Sequence, residues 1–195
     1  MISHLGFEPV GGASFARERN GYRDGLFFEQ SSWGSGEFWM TVGFDVPALD
    51  TLLHREPSFS LMLARRVSDS GVDGSDCWLG ARDRDELVAS LSMFAGYLEG
   101  CMRYFDEVRC VADLASAYAL QEGFGDAPPE QVTHLEQLGV ANYGLLLVLA
   151  GDVEKGRLWI EASSASMKAE GITKYTESRV AEFDALLGRI RVGAL

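Results

Sequence analysis

The sequence predicts an α+β fold: an antiparallel meander of about four strands covered by helices, followed by an all-helical region. Three observations carry this. Apolar residues alternate with period two up to residue 66. From Asp83 onward they recur every three or four residues. A stretch rich in Gly with a Pro-Pro pair, residues 123–129, then separates an α+β domain (1–122) from a helical region (130–195).

The strands come first. Residues 14–19 place Phe15 and Arg17 on one parity, and residues 24–31 set Leu26 and Phe28 against Phe27 and Glu29. Residues 37–44 put Phe38, Met40, Val42 and Phe44 on one face, with Trp39, Thr41 and Gly43 on the other. Asn20-Gly21 marks a hairpin, because both residues accept positive φ. A Gly/Ser loop around Trp33 marks the next break. Residues 47–54 read as a short helical turn opened by Pro47. Residues 59–66 read as a fourth strand with Phe59, Leu61 and Leu63 inward.

The helices follow. Asp83 is placed to cap a helix, with Glu86 completing a capping-box pattern. Leu87, Leu91, Phe94, Leu98 and Phe105 form its apolar stripe, which is expected to cover one face of the sheet. Val111, Leu114 and Tyr118 mark a second, shorter helix. Beyond the break, residues 130–150 and 153–169 read as helices turned by Gly151-Asp152, and Gly171 ends the second. Thr173 is the expected cap of a last helix holding Val180, Phe183, Leu187 and Ile190.

Charge restricts function. The 195 residues carry a net charge of -12, and 59 of them, residues 67–125, hold -7 of it. Such a field repels phosphate backbones and anionic lipid, so nucleic acid and membrane surfaces are not expected partners. It favours a basic protein partner. Cys77, Cys101 and Cys110 contain no Cys-x-x-Cys pair and read as reduced thiols. The N-terminal stretch has no basic segment followed by an apolar one, so the expected location is the cytoplasm.

Motifs for chemistry fail one by one. His4, His54 and His134 fall in different elements without ligands at metal spacing, so no metal or other cofactor is expected. Gly12-Ala13-Ser14-Phe15-Ala16 misses the last glycine of a nucleophile elbow. Counted from Asp69, a calcium loop needs a bidentate Glu at position 12, where Gly80 stands. No catalytic residue is assigned. The candidate partner-binding residues are the acidic cluster Asp69, Asp73, Asp76, Asp83, Asp85 and Glu86, together with Trp33. Trp39 is expected to pack under the helices. An enzyme or small-molecule binder, with a pocket between sheet and helices, would draw on Arg17, Glu29, Arg65 and Arg66. An adaptor would use the groove of the helical hairpin.

Particular motifs then point to a family. Gly6-Phe7, Phe15-x-Arg17, Phe27 with Gln30 and Ser32, and Phe38 with Gly43 stand in order. The tract from Cys77 to Tyr118 adds a Trp, an acidic helix start, a long helix and a short one. Over about residues 5–120 the chain resembles the uncharacterised bacterial family named domain of unknown function 4304. The resemblance implies an α+β fold and assigns no catalytic residue. Residues 138–156 resemble a single tetratricopeptide hairpin, although Gly156 stands where that family prefers Ala. Small acidic bacterial proteins of this general build often serve as immunity proteins for interbacterial toxins. A non-enzymatic immunity protein that covers a basic toxin is therefore the sharpest functional expectation, by analogy of type.

Overall fold

A computed structural model describes residues 2–32, 36–68, 71–72, 77–124, 129, 137–171, 173–174 and 176–195. The chain forms two compact units. The first comprises Met1–Val46 and Phe59–Arg109, the second Pro47–Ser58 and Cys110–Leu195. The short helix Val111–Glu122 thus belongs with the C-terminal helices, ahead of the Gly/Pro-rich stretch that the sequence marks. The fold is α+β, with an antiparallel sheet and a helical C-terminal region.

In the first unit the sheet order is β1 (Glu8–Gly11), β2 (Ser14–Glu18), β3 (Arg23–Gln30), β4 (Glu37–Asp45) and β5 (Met62–Arg66). The two-residue β6 (Leu79–Gly80) also pairs with β4. The Asn20-Gly21 turn is present, with Gly21 at φ 88 and the Arg19 amide donating to the Tyr22 carbonyl at 2.9 Å. The fourth strand starts later than expected. Phe59 and Leu61 precede it and lie over Gly25 and Gly43, which have no side chain to exclude them. Leu63 sits at φ 50, where β5 carries two residues opposite Gly43, a bulge held by the Tyr104 hydroxyl donating to the Leu63 carbonyl at 2.6 Å. Burial pushes the Tyr104 hydroxyl up to about 12, so it stays a donor at neutral pH.

The helix α2 (Arg84–Asp106) covers the sheet face formed by Phe15, Leu26, Phe28, Met40, Val42 and Phe44. Phe28 meets Phe94 and Phe44 meets Phe105 at ring distances of 5.3 and 5.7 Å. The same face carries a carboxylate. Asp24 is 0% exposed. It accepts from Arg17 Nε at 2.8 Å and Nη2 at 2.5 Å, and Arg19 Nε lies 3.4 Å away. The Arg17 guanidinium stands 5.3 Å over the Phe7 ring and touches Met102 Sδ, while Arg19 reaches the Phe105 carbonyl and Asp106. Burial raises the Asp24 carboxyl above its ordinary range, with Arg17 opposing.

The second unit is α-helical: α1 (Ala48–Leu52), α3 (Val111–Glu122), α4 (Gln137–Leu149), α5 (Val153–Glu170) and α6 (Glu177–Arg191). Residues 130–136, the expected start of α4, lie outside the described residues. α4 is apolar on nearly every side because α1, α3 and α5 all pack on it. Ala141, Leu145 and Val148 meet Ile160, Phe183 and Leu186 in one core, and Tyr143, Trp159 and Phe124 form an aromatic cluster. The hairpin is tight. A Cβ on Gly156 would fall 2.5 Å from the Gly144 carbonyl oxygen, so Gly156 is the condition for backbone contact with α4. The last helix starts one turn later than expected. Thr176 is its N-cap residue, and the Thr173 carbonyl accepts from the Thr176 and Glu177 amides. α1 is tied to α6 by the Arg55–Glu182 ion pair and by Arg189 donating to the Leu52 carbonyl at 2.5 Å.

Three substitutions test this account of the fold. Gly156→Ala forces α4 and α5 apart and costs about 1–3 kcal/mol in urea unfolding. Gly188→Ala, on an open face of α6, stabilises by up to about 1 kcal/mol. Arg17→Met leaves Asp24 with less compensation and costs about 3–5 kcal/mol near neutral pH. Losing Arg17 raises the folded-state pKa of Asp24 further above its unfolded value. The protonated form then favours folding below the unfolded pKa, and that advantage is lost as pH rises through the folded value. The deficit against the parent protein should therefore narrow as the pH falls from neutral into mild acid.

Candidate aromatic contact surface

The sheet face turned away from α2 carries the residues of interest. Strand register sets them in ranks. Glu29 on β3 pairs with Trp39 on β4, and Phe27 pairs with Thr41, which pairs with Arg66 on β5. Since Phe38 pairs with Leu79, the preceding Trp78 comes opposite Trp39. The two indoles meet edge to face, with ring centroids 4.3 Å apart. Trp39 Nε1 donates to Glu29 Oε2 at 2.6 Å, and the Arg66 guanidinium lies 4.4 Å over the Trp39 ring. Trp39 is thus fixed by a carboxylate, a cation and a second indole. Trp78 remains 42% exposed. Trp39 does not pack under the helices, because its parity in β4 is opposite to that of Met40 and Val42.

Glu37 follows on the same parity, paired with Gly80. Gly80 leaves room for Glu86, whose carboxylate would collide with any Cβ there. Glu86 binds Arg82 through Oε1 at 2.6 Å and accepts from the Arg82 amide. This pairing holds the Glu86 carboxyl below its usual range. Asp83 accepts from the Glu86 amide at 2.8 Å and caps α2, as the sequence implies. Asp85 is exposed. Trp33, Asp69, Asp73 and Asp76 lie outside the described residues. Of the predicted acidic cluster, Asp83 and Glu86 therefore have partners within the chain.

The four residues considered for an enzyme do not converge. Arg17 is bound to Asp24 on the helix-covered face, and Arg65 lies beside the Tyr104 hydroxyl. Glu29 and Arg66 stand on the opposite face around Trp39. One cleft, about 350 Å³, opens at the β1–β2 edge between Glu8, Pro9 and Glu18, with Arg17 on its wall. Among the described residues no group of three or more His, Cys, Asp or Glu is arranged to hold a metal ion. Cys77, Cys101 and Cys110 are free thiols, and burial pushes Cys101 up to about 12. No described helix is long and apolar enough to cross a membrane.

Trp78 was not among the residues that sequence reasoning singled out for contact. The signal that finds it is the pairing of β6 with β4, and two residues of strand are too few to show a period. No family model, curated protein or solved structure matches the chain.

Proposed function

We propose that this chain is a protein-binding protein that covers a cationic partner, and in its sharpest form an immunity protein that neutralises a basic toxin. The observation that carries this reading is the Trp39–Trp78 pair on the sheet face turned away from α2, bordered by Glu29 and Glu37. Buried aromatic anchors supply much of the energy of protein interfaces, and Trp leads among them. Trp78 offers a large apolar surface whose orientation Trp39 fixes, so little conformational freedom is lost on docking. Carboxylates around such an anchor select Lys and Arg on the partner and steer their approach. Asp69, Asp73 and Asp76 precede Trp78 in sequence and add to the negative field, with Asp85 beyond. A toxin that acts on nucleic acid needs cations for its substrate, and an acidic protein competes for the same cations.

The test is capture of a partner from the producing host, followed by calorimetric titration of the purified pair. Trp78→Ala should weaken binding about 30-fold or more, the scale of a 2 kcal/mol anchor. Glu29→Lys with Glu37→Lys should weaken it further and flatten its dependence on salt. A partner whose affinity is unchanged by all three substitutions would remove this surface from the interface.

A further inference from the structure

Trp39 shows what the sheet holds on the side turned away from α2. Directly opposite it on β3 stands a carboxylate, Glu29, and diagonally from it on β5 a guanidinium, Arg66. Glu29 accepts from Trp39 Nε1 at 2.6 Å, and the Arg66 guanidinium lies 4.4 Å over the ring. Indole, carboxylate and guanidinium thus come together within one chain, and an indole is the best of the aromatic rings for holding a cation.

Trp78 repeats two of these three groups. Glu37 pairs with Gly80 on the β4–β6 ladder, so Trp78, two residues before Gly80, is its diagonal neighbour on the same side. Diagonal neighbours on a sheet lie within reach of aromatic and long side chains. The Glu37 carboxylate enters no hydrogen bond or ion pair among the described residues, and the Arg82 guanidinium, which feels its charge, is bound to Glu86. The cations that stand over rings lie on Phe7, Phe105, Phe59, Trp39 and Tyr143, so among the described residues none lies over Trp78, which is 42% exposed.

We propose that Trp78 and Glu37 form a recognition site for an arginine side chain of the partner, its guanidinium stacked on the Trp78 ring and donating to the Glu37 carboxylate. The proposal rests on the reading of this face as the contact for a cationic protein, and adds which side chain is recognised. Arginine fits better than lysine. The guanidinium is planar and weakly hydrated, so it stacks on an indole while its in-plane N–H groups remain free for a carboxylate beside the ring. An ammonium is a compact, strongly hydrated charge, and gives up more water to meet the same ring. The partner's arginine lands near Arg66, which is already in place, and Glu29 and Glu37 supply one carboxylate for each cation.

Titration of the full chain, its indoles isotope-labelled for magnetic resonance, with hexa-arginine and with hexa-lysine tests this. The two peptides have equal length and charge, so the field of an acidic protein alone binds them equally. At physiological ionic strength hexa-arginine should bind about tenfold tighter and shift the Trp78 indole N–H resonance. Trp78→Leu and Glu37→Gln should each bring its affinity to within about twofold of that for hexa-lysine. Glu177→Gln, a charge removed from α6, should keep the preference. If Trp78→Leu impairs folding, Glu37→Gln carries the test, since it keeps a polar side chain of the same size. Equal affinities for the two peptides, both lowered by Trp78→Leu, would overturn the arginine site and leave the cation-binding surface standing. An arginine preference that survives both substitutions would overturn the site, and affinities for both peptides that neither substitution alters would remove the surface with it.

Discussion

The α+β unit is organised around one buried carboxylate. Asp24 sits on β3 beneath α2, removed from water, and cannot stay ionised there without cations. Its two cations come from Arg17 on β2 and Arg19 just past it. Both guanidinium groups also reach the end of α2, Arg17 at Met102 and Arg19 at Phe105 and Asp106. One charge therefore sets the position of β2 against β3 and of the helix C-terminal half against both. Apolar packing of Phe94 and Phe105 supplies area, but the guanidinium geometry defines where the helix ends up. In its N-terminal half α2 is joined to β6 by Ser90, whose hydroxyl donates to the Gly80 carbonyl.

The helical unit obeys a different constraint. Its central helix is surrounded, so its sequence is apolar all round and carries no amphipathic signature. Specificity there comes from backbone proximity at Gly144 and Gly156. The departure from the tetratricopeptide pattern at Gly156 is explained by that contact, since even a methyl group would meet the facing backbone.

Much of this was legible in the sequence. The strands β2, β3 and β4 were readable because the large apolar residues facing α2 fall on one parity, Leu26 and Phe28 on β3 and Met40, Val42 and Phe44 on β4. The helix α2 was readable from its cap and its stripe. β1 was not, because Glu8, Pro9, Val10 and Gly11 are all exposed and have no buried parity to reveal. Phe59 and Leu61 alternate like strand residues yet precede β5, because glycines on the facing strands accept them from above. The acidic start of α2 was recognised as a cluster, but Asp83 and Glu86 were already committed to local partners. Trp78 and its pairing depended on where the chain returns to β4 after a long excursion, which local pattern does not encode.

That excursion has an evolutionary meaning. The Val67 amide still bonds the Met40 carbonyl, and Leu79 rejoins β4 opposite Phe38. Both ends of the intervening segment are anchored to the same strand, so its length and composition are uncoupled from the hydrogen-bonding of the sheet. Chain length can therefore change between residues 68 and 78 in descendants of this sequence without moving the register of β4 against β5 or β6.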